Sequence, residues 1–116
     1  MYSDLLKEKL TKFFRNFGFR KESIFVDVCE LVLRKDSFYV FVQFFEDEVK
    51  SQHIDKIENR LANLDFEMSK HICIVVADNI EDNMSEKMKS CEIIHLKKNE
   101  IFVDDILRNN LYKIVA

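Results

Sequence analysis

Residues 23–50 read SIFVDVCELVLRKDSFYVFVQFFEDEVK, and this stretch decides the fold. It predicts one long hairpin. The first strand runs from Ile24 to Leu33 and carries Asp27 and Glu30; Lys35-Asp36-Ser37 supplies the turn. The second strand, Phe38 to Phe45, has one polar residue, Gln43. A sheet covered on one side alternates apolar and polar residues, whereas a strand covered on both sides reads as a continuous apolar run. The hairpin is therefore expected inside an α/β fold, a three-layer α/β/α sandwich with a mixed sheet of about four strands. Phe41, Phe44 and Phe45 are expected to be largely inaccessible.

Outward from the hairpin, Leu6, Leu10, Phe13, Phe14 and Phe17 follow helical spacing, which predicts a helix capped by Ser3 and ending near Phe17. Gly18, the only glycine, suits the left-handed position beyond a helix C-terminus. Downstream, Ser51 is expected to cap a helix striped by Ile54, Ile57, Leu61 and Leu64. The run His71 to Ala77 reads as a buried strand, parallel to a neighbour across that helix. A short helix capped by Asp78 or Asn79 carries Ile80, Met84 and Met88. A strand over Glu92–Leu96 follows, and a last helix from about Asp104 buries Ile106, Leu107 and Leu111, with Ile114 open between that stripe and the surface. The expected order is α-β-β-α-β-α-β-α, in one domain over residues 1–116.

Composition excludes several classes of function. The chain has 116 residues, with eleven Phe, one Gly, no Pro and no Trp. One glycine rules out a glycine-rich phosphate loop. No apolar window is long enough to span a bilayer, so no membrane partner is expected. The charged segment Met1–Lys12 lacks the apolar core and cleavage site of a signal peptide. Cys29, Cys73 and Cys91 lack metal-ligand spacing and read as reduced thiols in a cytoplasmic protein. His53, His71 and His95 show no metal spacing either. The net charge of −3 is unevenly spread. Residues 1–23 hold six Lys/Arg against three Asp/Glu, and residues 24–69 hold five against ten. Lys9, Lys12, Arg15, Arg20 and Lys21, interleaved with phenylalanines, are the candidate nucleic-acid contacts.

The polar residues of the hairpin are the candidates for chemistry. With Lys35-Asp36 as a two-residue loop, Glu30 faces Phe41, and Gln43 lies two residues on along the same side. Asp27 projects to the other side, opposite Phe44 and near Glu46. A register shifted by two residues would set Asp27 against Glu46.

Helix, strand meander, helix and apolar strand together resemble the restriction-endonuclease-like core of the PD-(D/E)xK nuclease family, over residues 3 to about 96. In that family an Asp on one hairpin strand and (Asp/Glu)-x-Lys on the next hold a divalent metal. Glu30 falls where the family's Asp would sit, and Gln43-Phe44-Phe45 where its Glu-x-Lys would sit. Glutamine carries no charge and Phe45 replaces the lysine, whereas Mg²⁺ requires carboxylate oxygens. The resemblance thus implies a degenerate, non-catalytic copy without a cofactor. A literal Glu48-Val49-Lys50 exists, but Asp36 lies in the turn, roughly 40 Å away along a straight strand. The alternative catalytic set is Asp27, Glu46, Glu48 and Lys50, which with Mg²⁺ would make a metal-dependent nuclease. The leading expectation is a non-catalytic cytoplasmic binding module: an accessory subunit, an immunity-type inhibitor or an inactive nuclease-like domain. Its expected partners are another protein or a second copy, with nucleic acid as the alternative. Tyr112, Ile114 and Val115 cannot all face inward from one helix and form the expected interface.

Overall fold

The computed structural model describes residues 2–23, 29–62, 70–90 and 93–115. Among the described residues the chain is α/β, with four helices and one mixed sheet of five strands in the order β1-β2-β3-β4-β5. The elements are α1 (Tyr2–Arg15), β1 (Arg20–Lys21), β2 (Leu31–Lys35), β3 (Phe38–Phe44), α2 (Ser51–Ala62), β4 (Lys70–Val76), α3 (Met84–Ser90), β5 (Ile93–Leu96) and α4 (Asp104–Val115). A 3₁₀ turn at Lys98–Phe102 precedes α4. β1, β2 and β3 form an antiparallel meander, while β4 and β5 run parallel to β3. No helix is long and apolar enough to cross a membrane among the described residues.

Side chains alternate between two sets of neighbours along each strand, as the two-residue period of an extended chain requires. Leu31, Leu33, Val40, Val42, Ile74, Val76 and Leu96 share a buried cluster with Leu6, Leu10 and Phe14 of α1 and with Leu107, Leu111 and Ile114 of α4. Their immediate neighbours turn the other way. Cys73, Val75 and Ile93 pack with Ile54 and Ile57 of α2 and Met84 and Met88 of α3. Val32, Tyr39 and Phe41 form a third cluster with Cys29, against which Leu61 packs. This double coverage is why β3 reads as an almost unbroken apolar run.

Gly18 closes α1 as the sequence implies. Its φ is +92°, its N–H bonds the Arg15 carbonyl, and the Phe19 N–H bonds the Phe14 carbonyl. That pair of bonds is a Schellman motif. The Phe14 and Phe19 rings meet edge to face at 5.2 Å, supplying the apolar contact that accompanies it.

Several sequence expectations need correction. Among the described residues the sheet has five strands, because Arg20–Lys21 adds an edge strand too short and too charged to show a period. The first long strand is Leu31–Lys35; the expected stretch Ile24 to Val28 lies outside the described residues. The hairpin turn is Asp36-Ser37, with Lys35 paired to Phe38 and Asp36 at φ 55°. The register is therefore displaced by two residues from the expected one, since an aspartate tolerates the left-handed region and so takes the first turn position. Phe41 is fully buried, but Phe44 and Phe45 are half-buried, because β2 ends at Leu31 opposite Val42 and they extend past it. Ile80 precedes α3 and pairs with Val49 in an isolated bridge. Ser51 is the first residue of α2, and its hydroxyl accepts from Lys87 Nζ at 2.6 Å. Ile106 is exposed, since Leu107, Leu111 and Ile114 already form the inward stripe of α4.

Candidate functional site

β2 and β3 bring Glu30 and Gln43 together. Carried one residue beyond the last pair, Leu31–Val42, the register sets Glu30 across from Gln43, not Phe41. The Phe45 N–H bonds the Val76 carbonyl of β4 at 2.9 Å, so the Phe44 N–H points the other way, toward β2. There the Glu30 carboxylate accepts it, Oε2 to N at 2.9 Å. The side chain thus supplies an acceptor where the regular ladder has stopped. Gln43 is half-buried and paired with Val75 of β4. Phe45 is half-buried against the α2–α3 cluster, with its ring 5.1 Å from the His53 ring. His53 Nδ1 in turn accepts the Lys50 N–H at 3.0 Å, which satisfies a donor at the start of α2.

The alternative set is spread along the chain. Asp27 lies outside the described residues. Glu46 and Glu48 are exposed in the connection after β3, and Lys50 is exposed at the start of α2. Between them Val49 is fully buried and anchored to Asn79 and Glu81 through backbone bonds of 3.0 and 2.8 Å. No group of three or more His, Cys, Asp or Glu suited to a metal ion occurs among the described residues. His95 donates from its ring to the Ala77 carbonyl at 2.7 Å, a structural use of that imidazole.

Most of these basic residues line two depressions that share Lys21. Lys12, Arg15 and Lys21 line a depression of about 410 Å³ together with Lys7. Lys21 also lines a second depression, of about 550 Å³, with Arg20, Arg34 and Lys35. Lys9 instead turns toward α4, where its Nζ meets Asp104 at 2.9 Å. Lys7 shares a face of α1 with Thr11 and Arg15, whereas Arg34 and Lys35 escape sequence reasoning because the β1–β2 pairing brings them to this edge. In that pairing Arg20 and Arg34 are direct partners. Like charges directly opposite on a sheet are destabilising. Arg34 is partly offset: its Nε donates to the Asp36 carbonyl at 2.6 Å, Nη1 lies 3.6 Å from Glu22, and its guanidinium sits 5.3 Å from the Tyr39 ring centre.

Of the expected interface, Tyr112 is 63% exposed, Ile114 is buried in the core, and the Val115 side chain lies outside what is described. Ile114 is thereby corrected from surface to core; it continues the Leu107–Leu111 stripe one turn on. Phe102, Val103 and Ile106 are exposed instead, around the junction of the 3₁₀ turn and α4.

No protein-family model, curated protein or solved structure matches this chain.

Proposed function

We propose that this chain is a non-catalytic binding module acting through macromolecular interaction, on a restriction-endonuclease-like three-layer α/β/α arrangement. An accessory subunit, an immunity-type inhibitor or an inactive nuclease-like domain fits this reading, in a reducing compartment such as the cytoplasm. The element order supports the fold assignment: α1, an antiparallel meander, α2, then a strand parallel to β3. One observation carries the functional reading. The carboxylate at the family's metal-binding position, Glu30, is engaged by the Phe44 amide, and the position of the family's lysine holds Phe45, packed against His53. These groups serve the fold. A hard divalent cation needs anionic oxygens, and an amide and a phenyl ring beside one engaged carboxylate are poor ligands.

Calorimetric titration of Mg²⁺ and Mn²⁺ into the chain tests this. The expected result is heat of dilution alone. A saturable sub-millimolar site that disappears in Glu30→Ala or Glu46→Ala would overturn the reading in favour of a metal-dependent nuclease.

The basic surface favours a second reading, nucleic-acid binding without cleavage. Lys7, Lys12, Arg15, Arg20, Lys21, Arg34 and Lys35 line two depressions that share Lys21, against the acids Asp4, Glu8, Glu22 and Asp36, on a chain of net charge −3. Such a local excess of positive charge attracts a phosphate backbone.

A further inference from the structure

We infer that the open edge of β5 pairs with the same edge of a second copy, joining the two sheets antiparallel about a twofold axis at Ile94. The inference goes beyond the binding reading: it concerns how copies assemble and holds whether or not the chain cleaves nucleic acid.

The two edges of the sheet differ. Among the described residues, strand order puts β1 at one edge and β5 at the other. β1 consists of Arg20 and Lys21, both exposed. A short, cationic edge discourages pairing with another chain. β5 lacks that protection. Ile93-Ile94-His95-Leu96 includes no lysine, arginine, proline or glycine. Ile93, Ile94 and His95 line an open depression of about 270 Å³ with Ile80, Ser85 and Met88, so the edge is reachable from the α3 side.

The ladder fixes which backbone groups are on offer. β5 runs parallel to β4 with Leu96 paired to Val76, and the Ala77 N–H bonds the Leu96 carbonyl at 3.0 Å. In a parallel ladder the N–H and C=O of one residue turn to the same neighbour, and successive residues alternate. Leu96 and Ile94 thus face β4. Ile93 and His95 each present a donor and an acceptor to the open side, where no described strand lies.

Residues so spaced are self-complementary. An antiparallel copy centred on Ile94 sets Ile93 of each chain against His95 of the other, and every one of these groups finds a partner. Ile94 meets its own counterpart on the axis as a non-hydrogen-bonded pair, where side chains approach most closely. Ile94 is half-buried against the α1–α4 cluster, so the contact covers apolar surface that a single chain leaves open. A second copy suits this edge better than a loose peptide, because its strand is already extended on β4 and loses little chain entropy on pairing. The cationic β1 edges stay outside, which closes the assembly as a dimer instead of a fibre.

Sedimentation equilibrium of the native full chain across the micromolar range should show a reversible two-chain species. A strict single-chain mass would overturn the inference and leave the edge to an extended segment of another protein. Ile94→Lys and Ile94→Glu, checked for native circular dichroism, should each weaken self-association by at least about tenfold, since like charges then meet on the axis. Mixed in equal amounts, they should restore a two-chain species holding one copy of each, because residue 94 faces only its own counterpart. Self-association as tight as native in either variant would overturn the inference, as would a mixture that stays single-chain. Should the variants fail to fold, amide hydrogen exchange of the native chain decides. The Ile93 and His95 amides should exchange more slowly as concentration rises, and the Ile94 amide, turned to β4, should not change. Exchange at Ile93 and His95 that is independent of concentration would overturn the pairing.

Discussion

The Glu30 carboxylate accepts the backbone N–H of Phe44 at 2.9 Å, one residue beyond the point where β2 stops pairing with β3. Here the acid terminates a sheet ladder.

That relationship has a measurable cost. Glu30→Ala leaves the Phe44 N–H to solvent and should lower stability by about 1 kcal/mol, the net worth of a typical hydrogen bond. Glu30→Gln keeps an acceptor oxygen and should retain most of it. Urea denaturation reads both, and an alanine variant as stable as the native chain would count against a structural role.

Phe41 and Phe45 should differ sharply. Phe41 is fully buried between Tyr39 and the His71 ring, so Phe41→Ala should cost about 3–5 kcal/mol. Phe45 is half-buried, and Phe45→Ala should cost clearly less in the same urea titrations.

Gly18→Ala should cost about 1 kcal/mol. The added Cβ would occupy a residue at φ +92° and lie 3.2 Å from Lys35 Cε. Because that neighbour is the far end of a flexible side chain, the backbone conformation dominates. A thermal midpoint unchanged in Gly18→Ala would contradict this account of the helix end.

Much of the fold was legible because β3 and β4 are continuous apolar runs and Gly18 is the only glycine. The register was not. Asp36 adopts a positive φ, which moves the turn to Asp36-Ser37 and changes the partner of Glu30 from Phe41 to Gln43. A two-residue displacement preserves which face each side chain occupies, so the hydrophobic pattern could not detect it. The basic surface was half legible. Lys12, Arg15, Arg20 and Lys21 are close in sequence, but Arg34 and Lys35 join them only through the two-residue strand β1. Ile106 was misplaced because a helix carrying Ile106, Leu107, Leu111 and Ile114 admits two neighbouring inward stripes, and packing chooses between them.

If the basic edge engages nucleic acid, its affinity should fall steeply with salt. Fluorescence anisotropy with labelled DNA and RNA should show binding weakened about equally for all sequences in Arg20→Glu and Lys21→Glu. The salt slope should fall by about one for each phosphate that is no longer neutralised. Lys9→Glu should matter less, because Lys9 faces Asp104. Affinity insensitive to salt and to these substitutions would exclude this edge.

The most direct test of the central claim is a cleavage assay. The pure chain is incubated with single- and double-stranded DNA and RNA in the presence of Mg²⁺ or Mn²⁺, beside Asp27→Ala and Glu46→Ala. The account predicts intact nucleic acid in every tube, whether or not it is bound. Metal-dependent cleavage by the native chain that disappears in either variant would contradict it.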